Sequence, residues 1–285
     1  MWRDAEHGAQ RKPLVVRTCS GGRLCQLLLG LGFAVLTNAL CVVARVEAGE
    51  QPLVALRSVD PSIKQDIRYA GADNFTGRRV AGYEAAECWL RPQAARALAK
   101  VQADLLRDGS GLSLKVFDCY RPKRAVSAFM TWAEAAEDGG TRSYHPNVAR
   151  SQLVPRGYIA SVSTHSKGIA VDLTLVRSQA AKKGNSEQQA MAVQAEIGKP
   201  LSCTQTSDRA ADAASLDMGT AFDCFDPKSH TASAGLTAEQ RQARQTLKRA
   251  MERHGFANYA KEWWHFTFGA ADDGRVFDVP VVAVE

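Results

Sequence analysis

His165 and Asp172 flank Gly168 in Ser163-Thr164-His165-Ser166-Lys167-Gly168-Ile169-Ala170-Val171-Asp172, pairing an imidazole with a carboxylate. Much later, in Glu262-Trp263-Trp264-His265-Phe266, a second histidine follows a glutamate by three positions. Two imidazoles and one carboxylate are the ligands of an open zinc site, whose fourth position is left for water; zinc lowers the pKa of that water to about 7 and polarises a carbonyl beside it. A carboxylate within reach of the water, but not on the metal, completes a hydrolytic centre by taking the proton and passing it to a leaving amine. Glu262 is placed for that role. The expected cofactor is one Zn2+ per chain, held by His165, Asp172 and His265.

The surrounding elements must bring these groups together. Side chains alternate across a strand, so the odd spacing of His165 and Asp172 excludes one face of one continuous strand. His165 is therefore expected in a loop, with Gly168 letting the backbone fold back. Strands are expected at 112–117, at 157–162 leading into that loop, at 169–176, and from Phe256 to Phe268 carrying Glu262 and His265. Three helices accompany them. The first opens at Arg91-Pro92, repeats Ala94, Leu98, Val101 and Leu105 at helical steps, and ends before Gly109. The second follows Pro122 with Val126, Phe129 and Ala133 along one side. A capping box, Thr237-Ala238-Glu239-Gln240, opens the third, which carries Ala243, Leu247, Ala250 and Met251 and closes at Gly255. Residues 177–215, rich in Ala, Gln, Ser and Lys, read as an inserted or mobile segment. This order of runs predicts an α+β fold: a single compact domain, a central antiparallel sheet flanked by helices, and the zinc site in a cleft on the sheet.

The chain has 285 residues, 45% of them apolar, enough for one large core. Arg11, Lys12, Arg17 and Arg23 precede an apolar run from Leu24 to Ala44, and Val46-Glu47-Ala48 gives a small-x-small pattern before Gly49. Residues 1–48 thus read as a secretory signal peptide, leaving 49–285 as the catalytic domain, exported to the periplasm with no stable membrane association after processing. The other reading is an uncleaved anchor, since the run approaches the ~20 residues of a span; Gly30, Gly32, Thr37 and Asn38 dilute it and favour cleavage. The formal charge of +6 is half accounted for by this leader, and 49–285 shows no basic stripe with interleaved aromatics, which argues against a nucleic-acid partner. Cys19, Cys25 and Cys41 lie in the leader. The even set Cys88, Cys119, Cys203 and Cys224 suits an oxidising compartment and lacks the CxxC spacing of a structural zinc cluster. Of three pairings, Cys88 with Cys119 and Cys203 with Cys224 is favoured.

The pattern Ser163-x-His165-x-x-Gly168-x-Ala170-x-Asp172 with Glu262-Trp263-Trp264-His265 resembles the zinc D,D-peptidases, and among them the D-alanyl-D-alanine dipeptidases of the vancomycin-resistance type. The similarity extends to Asp73-Asn74-Phe75-Thr76-Gly77, to Asp118-x-Tyr120-Arg121-Pro122-Lys123-Arg124-Ala125-Val126, and to Met218-Gly219-Thr220-Ala221-Phe222-Asp223. It implies hydrolysis of the dipeptide D-Ala-D-Ala to two D-alanines, with Glu262 as base and Arg121 steadying the tetrahedral intermediate beside zinc. Physically, a guanidinium fixed between a strand end and a proline suits an oxyanion that zinc leaves partly unneutralised. Asp223 would face the substrate's free ammonium, and Ser163, Tyr69 and the backbone near Asp118 are further candidates for positioning substrate. The leader and the four cysteines depart from the family pattern, which bears on compartment and not on chemistry. A D,D-carboxypeptidase or L,D-endopeptidase of peptidoglycan would use the same metal set in a more open groove, but a buried counter-ion for a free amine closes the cleft to polymer. A non-catalytic wall-binding module needs neither Glu262 nor Arg121, and both are present.

Overall fold

The computed structural model describes residues 52–178, 202–205 and 212–284. The leader with its cleavage site, and most of 177–215, lie outside the described residues. In chain order the elements are β1 (Val54–Ala55), α1 (Leu56–Val59), β2 (Lys64–Gln65), β3 (Trp89–Leu90), α2 (Pro92–Arg107), β4 (Leu112–Asp118), α3 (Lys123–Glu134), β5 (Ala170–Arg177), α4 (Ala238–Glu252), β6 (Ala257–Asn258) and β7 (His265–Thr267), joined by short 3-10 turns. Among the described residues no helix is long and apolar enough to cross a membrane.

β1 and β3 pair in a small ribbon, and the main sheet has the order β2-β4-β5-β7-β6. The antiparallel expectation holds for β4, β5, β7 and β6, but β2 joins β4 in parallel. A parallel neighbour cannot be reached by a hairpin, and the chain makes the required crossover through β3 and α2. All seven residues of β4 are buried, the polar positions of its alternation included. Because β2 reaches only Lys115 and Val116, the next amide along, Leu114 N, donates instead to Gln102 Oε1 of α2 at 2.9 Å. α2 packs on β4 and on α4, and α4 packs on β5. Pro92 stands in the first turn of α2, whose buried stripe includes Ala94, Leu98, Val101 and Leu105. At the start of α4 the capping box forms in both directions: Gln240 N donates to Thr237 Oγ1 at 3.2 Å and Thr237 N to Gln240 Oε1 at 3.0 Å.

Two expected strands differ. Residues 157–162 form no strand: Ile159 is buried in the core, but the amides bond locally (Tyr158 N to Leu153 O, 2.9 Å) and Val162 is 75% exposed, so no sheet partner holds them extended. The stretch from Phe256 to Phe268 is not one strand but a hairpin: β6 and β7 pair antiparallel, and the intervening turn closes through Glu262 N to Tyr259 O at 3.0 Å. Glu262 therefore stands on a turn and His265 on a strand.

His165 lies on a 3-10 turn, Thr164–Lys167, ended by Gly168 at φ +70°. The left-handed backbone favours glycine, and a Cβ there would stand 2.4 Å from Leu53 Cδ2 and force that side chain to move. The turn is held from behind by Arg91 and the C-terminal segment. Arg91 Nε donates to Lys167 O and Arg91 N to Gly168 O, both at 2.8 Å, while the guanidinium forks onto Asp273. Phe277 N donates to Ser166 O at 2.8 Å. Replacing Asp273 by alanine leaves the buried Arg91 guanidinium with one carbonyl acceptor, which lowers stability. The expected result is a melting temperature several degrees lower for Asp273→Ala, and an unchanged midpoint would show that the clamp carries no stability.

Candidate active site

One row of residues crosses three strands. The register sets Asp118 of β4 opposite Asp172 of β5, and Asp172 opposite His265 of β7. The Thr164–Lys167 turn then brings His165 over the end of this row. His165 Nε2 stands 3.1 Å from His265 Nδ1 and 3.3 Å from Asp172 Oδ1, and His265 Nδ1 stands 3.0 Å from the same oxygen. His165 and Asp172 are buried and His265 nearly so.

This donor set fits zinc. Nitrogens and oxygens 2.0–2.1 Å from one tetrahedral ion stand about 3.3 Å from each other, close to the separations here. The ring of His165 is fixed for the purpose: its Nδ1 donates to the Cys119 carbonyl at 2.6 Å, and since a carbonyl only accepts, the Nε2 lone pair faces Asp172 and His265. Asp118 Oδ2 lies 3.5 Å from the same Nδ1. His265 Nε2 is in reach of Thr267 Oγ1 at 3.3 Å, which leaves Nδ1 for the trio. Burial pushes the Asp172 carboxyl up, but the two imidazoles outweigh it and hold it well below the usual carboxylate range.

Glu262 approaches the trio without joining it, with Oε2 3.9 Å from His265 Nδ1. Burial, and then the Asp172 charge, push its carboxyl up to about 8; a cation on the trio opposes that shift. Arg121 is gripped on one side, its Nε and Nη2 donating to Asp118 Oδ2 at 2.9 and 2.7 Å. Nη2 also lies 3.5 Å from Asp172 Oδ2, and the guanidinium sits over the rings of Tyr69 and Phe129 at 5.2 and 5.0 Å. Asp223, at φ +58°, is buried and accepts from Tyr69 Oη at 2.9 and 3.1 Å. Burial, reinforced by the Asp172 charge, raises the Asp223 carboxyl well above the carboxylate range.

These groups line one cavity of about 410 Å³ that holds His165, Asp172, His265, Glu262, Arg121, Asp223, Tyr69 and Ser163 on its wall. Ser163 Oγ accepts from His165 N at 3.3 Å and caps the Thr164–Lys167 turn. Asp118 lies behind the wall, its carboxylate engaged by Arg121 and by Tyr83 Oη at 2.6 Å. Cys88 is bonded to Cys119 and Cys203 to Cys224. Sequence reasoning missed Tyr83, the aromatic wall of Tyr158 and Tyr259, and the Cys119 carbonyl, which no side-chain pattern encodes.

Residues 49–185 and 180–282 match the family model described as D-Ala-D-Ala dipeptidase, of the M15 peptidases. The chain belongs to this family. It is 35% identical over 221 residues to the D-alanyl-D-alanine dipeptidase of Enterococcus faecium, covering 77% of this chain and 93% of that protein. The D-alanyl-D-alanine dipeptidase of Streptomyces coelicolor is 34% identical over 221 residues with the same coverage, and that of Escherichia coli 30% identical over 217 residues, covering 75% and 83%. Membership makes the protein a metallopeptidase of a zinc-dependent family, and among its described residues His165, Asp172 and His265 form a cluster that could hold a metal ion.

The raised carboxyl of Asp223 has a consequence for stability. A folded-state pKa above the unfolded value means that the folded protein binds the extra proton, so ionising Asp223 costs stability as pH climbs from about 4 toward the folded pKa. Asp223→Asn, which keeps an acceptor for Tyr69, should melt higher than wild type at pH 7, with the difference closing below about pH 4. Equal melting temperatures at both pH values would show that Asp223 carries no such penalty.

Proposed function

We propose that the protein is a zinc dipeptidase that cleaves D-Ala-D-Ala to two D-alanines. The observation that supports it best is the convergence of His165 Nε2, His265 Nδ1 and Asp172 Oδ1 within 3.3 Å of one another, beside a largely buried carboxylate left off the trio and a second across the same cavity. When bound to the trio, zinc supplies Lewis-acid polarisation of the scissile carbonyl and acidifies water at its open position.

The remaining steps belong to the chain. Glu262 takes a proton from the attacking water and delivers it to the leaving nitrogen as the C–N bond breaks, a cycle that a carboxyl raised by burial performs near neutral pH. Arg121, locked by Asp118, donates to the oxygen on which charge develops, and needs no reorganisation to do so. Asp223 accepts from the substrate's ammonium, with Tyr69 holding the carboxylate in place. An acylated substrate nitrogen, as in a wall polymer, would set a neutral amide against this buried carboxylate and leave it unpaired, a strong basis for rejection. That favours a dipeptide over the peptidoglycan carboxypeptidase or endopeptidase reading.

Export is part of the proposal. Residues 1–48 act as a leader removed after Ala48, and the two bridges of 49–285 suit an oxidising periplasm. Mass spectrometry of exported protein should find Gly49 as the first residue and no alkylatable thiol without reduction; an intact leader would contradict it.

Catalysis separates from binding by substitution. His165→Ala should lose both zinc and activity. Glu262→Ala should keep zinc while turnover falls by about 10²–10⁴-fold. Arg121→Ala should lower kcat by about 10²–10³-fold with a much smaller rise in KM. Rates on D-Ala-D-Ala, L-Ala-L-Ala and a wall pentapeptide, with and without chelator, identify the substrate. Wild-type kcat in folded, zinc-loaded Glu262→Ala would sink the mechanism and bring the wall-binding reading forward.

A further inference from the structure

Cys119 lies one residue past the end of β4, where the ladder to β5 stops. Its carbonyl is nonetheless the acceptor that orients His165 through Nδ1 at 2.6 Å. A backbone carbonyl beyond a strand end needs something else to fix it, and the Cys88–Cys119 bond does so. Both cysteines are buried. Cys88 is anchored in turn: its N donates to Gln65 Oε1 of β2 and its carbonyl accepts from Leu56 N, each at 2.8 Å. Tyr120 N donates to Trp89 O at 2.8 Å, so two consecutive residues are tied to the Cys88–Trp89 segment, and Arg121 N donates to His165 O at 3.3 Å.

We propose that the Cys88–Cys119 bridge is a positioning element of the metal site, fixing the Cys119 carbonyl and hence the His165 ring, so that full zinc affinity requires the bridge to be oxidised. The inference rests on the zinc reading above. The second bridge is a built-in control. Cys224 follows Asp223, and the carbonyls of Cys203 and Cys224 accept from Ala221 N and Ser229 Oγ, neither of which is a metal ligand. Opening it loosens the Asp223 loop and leaves the trio alone.

The test is zinc affinity, measured by competition with a chromogenic chelator, for wild type, Cys88→Ala/Cys119→Ala and Cys203→Ala/Cys224→Ala. Both variants lose a loop constraint, over 31 and 21 residues, and both should melt lower. Only the first should bind zinc more weakly, by about 10–100-fold, the usual effect of losing a group that orients a ligand. Its His165 Nδ1–H proton resonance, assigned in the zinc form, should shift or broaden. Unchanged affinity in the first variant, or equal losses in both, overturns the inference while leaving the zinc reading intact. Wild-type protein that binds no zinc overturns both.

If the first variant does not fold, wild type is treated with a phosphine reductant. The phosphine takes oxygen from water to become the phosphine oxide, and the S–S bond opens to two thiols. Alkylation then marks the opened pair and keeps those thiols from taking zinc. Zinc loss that follows alkylation of Cys88 and Cys119 supports the inference, and zinc retained by molecules alkylated at that pair overturns it.

Discussion

The register of three strands is the constraint on which the site depends. Asp118, Asp172 and His265 stand in one row across β4, β5 and β7. A slip of one residue at either pairing would turn an entire strand over and carry its functional side chain to the opposite face. The row therefore has to be pinned from several sides. A bulge between Val116 and Asp118 sets the end of β4, the capped α4 packs on β5, and the hairpin of β6 and β7 fixes His265 relative to Glu262. Of the trio, His165 is the member that no strand holds, and Gly168, Arg91 and Cys119 hold its turn instead.

The row also concentrates negative charge. Asp118, Asp172, Asp223 and Glu262 are gathered around Arg121 in a largely buried site. Burial pushes all four carboxyls up, and Arg121 compensates only in part, with its Nε and Nη2 turned to Asp118. A divalent cation on the trio would supply the missing positive charge. The same arrangement separates its acids: Asp172 is kept ionised by its imidazoles, whereas burial raises the Glu262 and Asp223 carboxyls, which suits the proton-transfer and ammonium-binding roles proposed for them.

Much of the chemistry was legible in the sequence, because metal sites need particular residue types and these stand in short motifs. His165, Asp172, His265 and Glu262 share the cavity that their spacing implied, and the odd step from His165 to Asp172 placed the former in a turn. The helices were legible too, since Pro92, the Thr237 box and the apolar steps act locally. The rest depends on tertiary context. The parallel β2 is two residues long and carries no periodic signal. Residues 157–162 have a strand-like composition but find no edge to pair with, and the Phe256 to Phe268 run hides a turn among aromatics that are buried for packing. The sequence marks the backbone near Asp118 as a candidate for positioning substrate but does not show that the Asp118 carboxylate engages Arg121 and stands beside the His165 ring.

The central claim is that two imidazoles and one carboxylate, on a turn and two strands, hold a single zinc while Glu262 stays off it. Zinc K-edge X-ray absorption of the purified protein tests this most directly. The account predicts one zinc per chain in a shell of nitrogen and oxygen at about 2.0–2.1 Å, with imidazole outer-shell scattering from two rings and no sulfur. A sulfur shell at about 2.3 Å, or loss of the two-imidazole signature, would place the metal elsewhere and contradict the account.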